Sequence, residues 1–520
     1  MDPAIAQLVD ISQSEAAMRA AADMMLERAR WASQVFQRYD RDRTYAIAEA
    51  AAKAAFAKAG AYGDWAVKET GFGVAEHKKL KNELSSLPFV EHYRDWDFIN
   101  PRLNERAHII EIPKPAGVVF ALVPSTNPIA TVYFKVLSAL MTRNAIVLCP
   151  HPAARECSID AARTLAEAAE AAGAPEAVIQ VIERPTIPLI NEFMQSDKTD
   201  VILATGGTAM VRAAYSSSNP AIGVGPGNAP VLVDGSADIA AAARHIVDSK
   251  GFDNSVLCTN ESVLITLDSV ADRLMKELGK AGAHICSETE TDALRSYLFH
   301  ERGFNVEAVG RDAGWIAEQA GIKVSKRVKV LVTPIELIGV GEDLSREKLC
   351  PVLGVYVAPG VKQAIRQARA LLRFSGAGHS AAIHSTDNQV ILDYAAAVEV
   401  YRVVVNAPCS QGASGFETNL APTFTVGTGF FGRSSVGENV GPQHLVNWTK
   451  VAWHKGTEGI LDAASLKGLH HPGPLPKAPS DGVPGQTRPR THQAAALPQD
   501  DLREQIRAII AEELRGVLKD

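Results

Sequence analysis

The chain has 520 residues, of which 46% are hydrophobic, 6% aromatic and 22% charged, with a formal net charge of −6. These values exclude a disordered chain, a collagen-like repeat and a small disulfide scaffold, and a chain this long needs more than one core. The slight acidity, with no long basic stretch to offset it, speaks against a nucleic-acid binder.

Few aromatics with abundant Ala, Val, Ile and Gly favour α/β layering over an all-β sandwich. Six cysteines (Cys149, Cys157, Cys258, Cys286, Cys350 and Cys409) are scattered without a C-x-x-C pair, which is not a disulfide framework. Met1-Asp2-Pro3 lacks a basic leader, and no apolar run approaches the ~18 residues of a membrane span. The expectation is a reduced, cytoplasmic protein that engages neither membrane nor nucleic acid.

Residues 4–60 form an Ala-rich helical pattern with a break at 40–43. From about 111 a regular alternation begins. The spacing predicts strands at 117–123, 145–149, 178–182 and 201–204, and helices at 128–142, 159–172, 187–195 and 208–216. Continuously apolar strands flanked by helices imply a parallel sheet covered on both faces. A second alternation predicts helices at 238–250 and 361–372 and strands at 263–266, 328–332, 354–357, 381–384 and 403–406. Two α/β units in series imply two lobes with a cleft between them. Residues 407–447 are Gly-rich loop that closes a site.

Of the 28 prolines, seven fall in the 31 residues 469–499, a composition that suits a flexible linker. Beyond it, the D-x-x-E box at 501–504 precedes apolar residues at helical spacing (Leu502, Ile506, Ile509, Ile510, Leu514, Val517 and Leu518). This predicts an amphipathic helix on a tether, which docks either on a partner or back on its own body.

Several stretches can carry chemistry. Cys258 follows a helix, among small polar residues at the junction of the two units; it is either a nucleophile or a buried structural thiol. Pro124-Ser125-Thr126-Asn127-Pro128 lies between a strand and its helix, where Asn127 can donate to an oxyanion or cap the helix. Ala204-Thr205-Gly206-Gly207-Thr208 offers free N–H groups for a phosphate. Gly223-Val224-Gly225-Pro226-Gly227 permits close backbone approach, and His379, between glycine and serine, is a candidate base. Gly427-Thr428-Gly429-Phe430-Phe431-Gly432 matches a dinucleotide fingerprint literally but lacks the following helix. His470-His471 has no companion ligands, so no metal site is expected.

Taken in order, PSTNP, CPHP (149–152), ATGG, AAYSSSNPAIGVGPGNAPV, FDNSVLC, EKLCPVLGVY, GAGHSA and ENVGPQHLVN resemble the CoA-acylating aldehyde dehydrogenases. These include the microcompartment propionaldehyde and acetaldehyde enzymes and the aldehyde-oxidising half of bifunctional aldehyde–alcohol dehydrogenases. The resemblance runs from about residue 25 to about 460. It implies the aldehyde dehydrogenase fold, with a Rossmann-like cofactor domain at 1–237 (joined by part of 406–435), a catalytic domain at 238–405, and oligomerisation segments near 101–116 and at 436–465. It implies Cys258 as nucleophile, Asn127 as oxyanion donor and His379 as an acid/base group toward CoA. Ser125, Thr126, His151, Thr205, Gly206, Gly207, Gly225, Glu347 and Pro351 fall to the NAD site, which CoA overlaps. Hydrolytic relatives carry E-L-G-G-K, whose Glu activates water; residues 223–227 hold no acid here. The resemblance further implies a short aldehyde as substrate, propionaldehyde ahead of acetaldehyde or sulfoacetaldehyde. It also implies a homodimer or homotetramer, and a tail at 500–520 that binds a shell protein and places the enzyme in a microcompartment lumen.

Overall fold

The computed structural model describes residues 14–300 and 303–455. The linker and terminal helix expected at 469–520 lie outside them.

The amino-terminal helices are set by their caps. Ser14 Oγ accepts the Ala17 N–H at the start of Glu15–Phe36, and Asp40 accepts the Arg43 N–H at 2.8 Å, starting Arg41–Ala57 at the predicted break. The helix Ala75–Leu84 follows, and it buries Lys78 and Lys81. It matters below.

The first sheet has strands β1 (Val118–Val123), β2 (Ala145–Pro150), β3 (Ile179–Val181), β4 (Val201–Ala204) and β5 (Ala221–Gly223), all parallel, in the order β3-β2-β1-β4-β5. β1 and β2 are buried along their whole length, as helices on both faces require. The chain reverses its direction of winding between β1 and β4. Ligands of open α/β sheets sit beyond the strand ends at such a switch point. Lys135, fully buried in Pro128–Met141, holds this point together. Its Nζ donates to the Leu122 carbonyl of β1 at 2.6 Å and to the Leu203 carbonyl of β4 at 2.8 Å.

The second sheet has seven parallel strands: β6 (Ala229–Val233), β7 (Glu261–Leu267), β8 (Ala283–Ile285), β9 (Val330–Pro334), β10 (Val352–Ala358), β11 (Ala381–His384) and β12 (Val403–Val405), in the order β8-β9-β10-β7-β6-β11-β12. Here the boundary expected at 237/238 needs correction. β6 pairs with β7 and β11 and belongs to the second core, so the second unit begins near 229. The cause is the Gly-rich run before it: residues 224–228 carry the chain from one sheet directly into the other, with no helix between.

After β12 the chain packs on both units. Cys409 and Ala413 join the second core, whereas Phe424, Val440 and Leu445 join the first. It ends in a three-stranded antiparallel sheet in which Val446–Ala452 pairs with Ile109–Pro115, and that strand pairs with Arg102–Asn104. The two segments expected to serve oligomerisation are thus neighbours in one sheet.

Candidate active site

A cavity of about 810 Å³ opens at the switch point and runs between the two units. Its wall includes Pro124 to Asn127, His151, Thr205 to Thr208, Val224 to Pro226, Val256 to Cys258, Glu347, and Phe424 from the returning segment. Of the residues expected at the site, Cys258, Asn127, Ser125, Thr126, His151, Thr205, Gly206, Gly207, Gly225 and Glu347 all line it.

Cys258 is the one cysteine of the six that is not fully buried. Burial pushes its thiol up to about 12, and the Glu347 carboxylate adds to the rise. The loop before it is unusual. Asp253, Asn254 and Ser255 follow one another with φ of +50°, +50° and +67°, a left-handed run without glycine. Asp253 holds that run in place. Its carboxylate accepts the Val74 N–H at 2.6 Å and is ion-paired with Lys78 (3.0 Å) and Lys81, all buried. Its own N–H donates to His77 Nδ1 at 2.8 Å. Burial alone would raise the Asp253 carboxyl, but Lys81 and Lys78 outweigh it and hold it below the usual range.

Asn127 does not cap its helix. No side-chain cap is made at Pro128–Met141; Oδ1 accepts Lys81 Nζ at 2.5 Å, and Nδ2 has only long contacts, 3.3 Å to Thr126 Oγ1 and 3.4 Å to the Val256 carbonyl. Asn127 thus lines the cavity with its amide donor engaged only in these two long bonds. Lys78, Lys81 and Asp253 were not foreseen. In the sequence A-E-H-K-K-L-K-N-E-L the two lysines resemble a solvated helix face, and their i,i+3 spacing was the signal available.

The nucleotide side is equally defined. Helix Thr208–Tyr215 starts at Gly207 with no side-chain cap, so its first N–H groups face the cavity mouth. Thr205 shares its hydroxyl with Thr425 at 3.0 Å, so its side chain is engaged within the protein. His151 Nδ1 accepts the Ala153 N–H, and burial pushes the imidazole down to about 4, so it stays neutral. Glu347 accepts the Gly227 N–H at 3.1 Å, and burial raises its carboxyl to about 7.

Two residues expected at the site lie away from it. His379 is fully buried and is not part of the cavity wall. The turn that carries it folds inward, because Gly376 and Gly378 pack against Asn228 and Thr428 so tightly that neither position has room for a Cβ. Its Nδ1 contacts Ser380 Oγ at 3.1 Å, its Nε2 has no partner, and burial with nearby Arg402 drives it down to about 3. Pro351 is also away from the cavity; it precedes β10, and its carbonyl accepts the Leu331 N–H. Within 223–227, Gly223 is packed away, since a Cβ there would meet Val211 Cγ1 at 2.6 Å. Val224, Gly225 and Pro226 line the cavity, so the wall there carries no charged group.

The literal Gly427–Gly432 fingerprint is a 3-10 turn at Phe430–Gly432, not a strand–helix junction. Outside the site, His284, Cys286 and Glu290 bring ligand atoms within 4.8 Å of one another, but Glu290 is engaged there with the Ser287 N–H and His284. Among the described residues no helix is long and apolar enough to cross a membrane.

A half-buried thiol, an amide donor and a helix N-terminus at a switch point form an arrangement suited to nucleophilic attack beside a bound nucleotide. Comparison with known proteins agrees with it. The aldehyde dehydrogenase family model matches residues 2–453. An aldehyde-alcohol dehydrogenase of Clostridium acetobutylicum is 42% identical over 74% of this chain and 45% of its own length. The chain spans about half the length of the curated relatives it matches first. An acetylating aldehyde dehydrogenase from Geobacillus thermoglucosidasius has 38% identity and a TM-score of 0.83, covering 86% of this chain and 99% of that one. A propionaldehyde dehydrogenase from the fucose-utilisation microcompartment of Clostridium phytofermentans has 29% identity and a TM-score of 0.74, covering 83% and 96%. With its cysteine, amide and nucleotide-facing turn in one cavity, and a family match over nearly the whole described body, the chain belongs to the aldehyde dehydrogenase family.

Proposed function

We propose that this chain oxidises a short-chain aldehyde, propionaldehyde foremost, with NAD and coenzyme A as co-substrates, and releases an acyl-CoA. One observation carries the reading. Cys258 and the Asn127 amide share a cavity in which the stretch 223–227 presents Val224 rather than a carboxylate.

Cys258 Sγ attacks the aldehyde carbonyl carbon. Asn127 Nδ2 and the Cys258 N–H donate to the oxygen as it becomes an oxyanion. A bound nicotinamide would supply the hydride acceptor for the adduct. Thr205 to Gly207 and the first N–H groups of Thr208–Tyr215 would hold its pyrophosphate, with His151 toward the adenosine end and Glu347 toward the ribose; all of them line the cavity. Cys258 is left carrying a thioester. With Val224 on the wall, no side chain of 223–227 activates water, so the thioester persists until the CoA thiol attacks it; CoA sulfur bonds to the acyl carbon, and Cys258 leaves as thiolate. Phe72, Leu257, Phe299, Phe304 and Val309 give the cavity apolar walls, which suits an alkyl aldehyde.

The test is NADH formation from aldehyde with and without CoA. Cys258→Ala is expected to abolish it, and wild-type NADH formation is expected to require CoA at catalytic concentrations. CoA-independent turnover to free acid would refute the acylating reading. A kcat/KM series over C2–C4 aldehydes, with sulfoacetaldehyde included, ranks the substrates.

We further propose that the antiparallel sheet of Arg102–Asn104, Ile109–Pro115 and Val446–Ala452 mediates a homodimer or homotetramer. The segment 500–520 is proposed to carry the enzyme into a microcompartment through a shell protein. A reporter fused to 498–520 that stays diffuse in compartment-forming cells would count against that address.

A further inference from the structure

We propose that Lys81 is a positioning residue that fixes which end of the Asn127 amide faces the reacting carbonyl. The proposal rests on the reading of Asn127 as oxyanion donor.

Lys81 sits on Ala75–Leu84 with its side chain 1% exposed. Its ammonium group has hydrogens to give and accepts nothing. One goes to Asp253 Oδ2 and another to Asn127 Oδ1, at 2.5 Å. An amide flipped end for end would set Nδ2 against that ammonium, donor against donor. It would also turn Oδ1 toward the Val256 carbonyl, which now lies 3.4 Å from Nδ2. Both ends therefore oppose the flip, and Nδ2 stays aimed where negative charge develops. A lysine does this better than a neutral amide, because it cannot itself rotate into an acceptor.

The charge is tolerated because Asp253 lies against it. Lys78 shares the same carboxylate and gives a second bond to the Thr126 carbonyl at 3.0 Å, on the residue just before Asn127. Asp253 also anchors the left-handed run leading to Cys258. One buried carboxylate thus registers the helix, the oxyanion donor and the nucleophile loop against one another. Gly73 makes room for it: a Cβ there would lie 2.0 Å from Asp253 Oδ1.

The experiment is a double-mutant cycle between Lys81 and Asn127, read as kcat and aldehyde KM in the full-length chain. Lys81→Met is expected to lower kcat by about 10- to 100-fold with KM within about twofold, less than the full loss of a donor. Lys81→Gln keeps a donor that can rotate, and is expected to recover part of the loss. In the Asn127→Ala background, Lys81→Met is expected to cost no more than about twofold further. An equal cost in both backgrounds overturns the proposal, because Lys81 would then act on the thiol by charge or on the fold at large. Unchanged kcat in Lys81→Met overturns it as well. If Lys81→Met shows no cooperative unfolding transition, Lys81→Gln runs through the same cycle with the same criteria. Asn127→Ala alone tests the underlying reading: wild-type activity there removes the oxyanion assignment itself, a failure distinct from additivity.

Discussion

Replacing Glu347 by Gln should make Cys258 more reactive, and the effect should vanish in acid. Gln keeps an acceptor for the Gly227 N–H and removes the charge. A Cβ on Gly227 would lie 1.9 Å from the Cys258 carbonyl oxygen and 3.3 Å from Glu347 Oε1, so the carboxylate is a near neighbour of the nucleophile's backbone. At a separation of about 6 Å and an effective dielectric of about 20, one charge is worth about 3 kcal/mol, or about a hundredfold in the acidity of the thiol. Glu347 has its carboxyl raised to about 7 by burial, so it is mostly charged at pH 8 and mostly neutral at pH 5.5. Because about a tenth of wild-type molecules carry a protonated Glu347 at pH 8, iodoacetamide labelling of Cys258, followed by peptide mass, should run about tenfold faster in the variant at pH 8, and at nearly the wild-type rate at pH 5.5. The other five cysteines are buried and serve as internal controls. Equal acceleration at both pH values would refute the electrostatic argument, as would no acceleration at pH 8.

Val224→Glu places a carboxylate on the cavity wall and should yield CoA-independent NADH with free acid as product; strict CoA dependence in the folded variant would show that more than this side chain blocks hydrolysis. Asp253→Ala leaves two buried ammonium groups without their carboxylate and should destabilise the fold by about 3–5 kcal/mol, read from denaturant midpoints; a loss under about 1 kcal/mol would contradict the clasp. Because Asp253 is held below its unfolded value, its contribution is present above the ordinary aspartate range and is lost as pH falls through the lowered folded value, so the destabilisation by Asp253→Ala should shrink in acid below the ordinary aspartate range. Lys135→Met should leave the Leu122 and Leu203 carbonyls without a donor, costing about 1–3 kcal/mol each and weakening NADH binding measured by fluorescence; unchanged binding would show that the switch point does not depend on that tie.

Much of the architecture was legible because it rests on local patterns. The apolar runs at 145–149 and 201–204 are strand-length and bounded by turns, and the glycine after 171 marks a helix end. Cys258, Asn127 and the Thr205 to Gly207 turn were legible through the resemblance, since each stands inside a long ordered motif. What failed to show was of another kind. Lys78, Lys81 and Asp253 become a cluster only when residues about 175 apart meet, and no spacing rule marks such a meeting. His379 was expected at the site through the resemblance, since it stands in the GAGHSA motif. Which way that turn folds depends on contacts with Asn228 and Thr428, distant in sequence. The unit boundary slipped past β6 for the related reason that a five-residue crossing between two sheets looks like one more turn.

Two carboxylates stand beside the nucleophile loop, and their surroundings divide the work between them. Asp253 is matched by two ammonium groups and a backbone N–H, so it stays charged across the physiological range and can serve as a fixed point for geometry. Glu347 has one hydrogen bond, from Gly227, and no ion pair among the described contacts; burial leaves its proton balanced near neutrality. A compensated charge is hard to move and suits positioning, whereas an uncompensated one changes state with little cost and suits control. Were the two arrangements exchanged, a permanent negative charge would face Cys258 and suppress the thiolate at every pH, while the left-handed run at Asp253–Ser255 would lose its anchor whenever its carboxyl took up a proton. The placement of Lys78 and Lys81 on one side of the loop only is therefore what lets a single short segment hold a strained backbone and still present a thiol whose ionisation can be released.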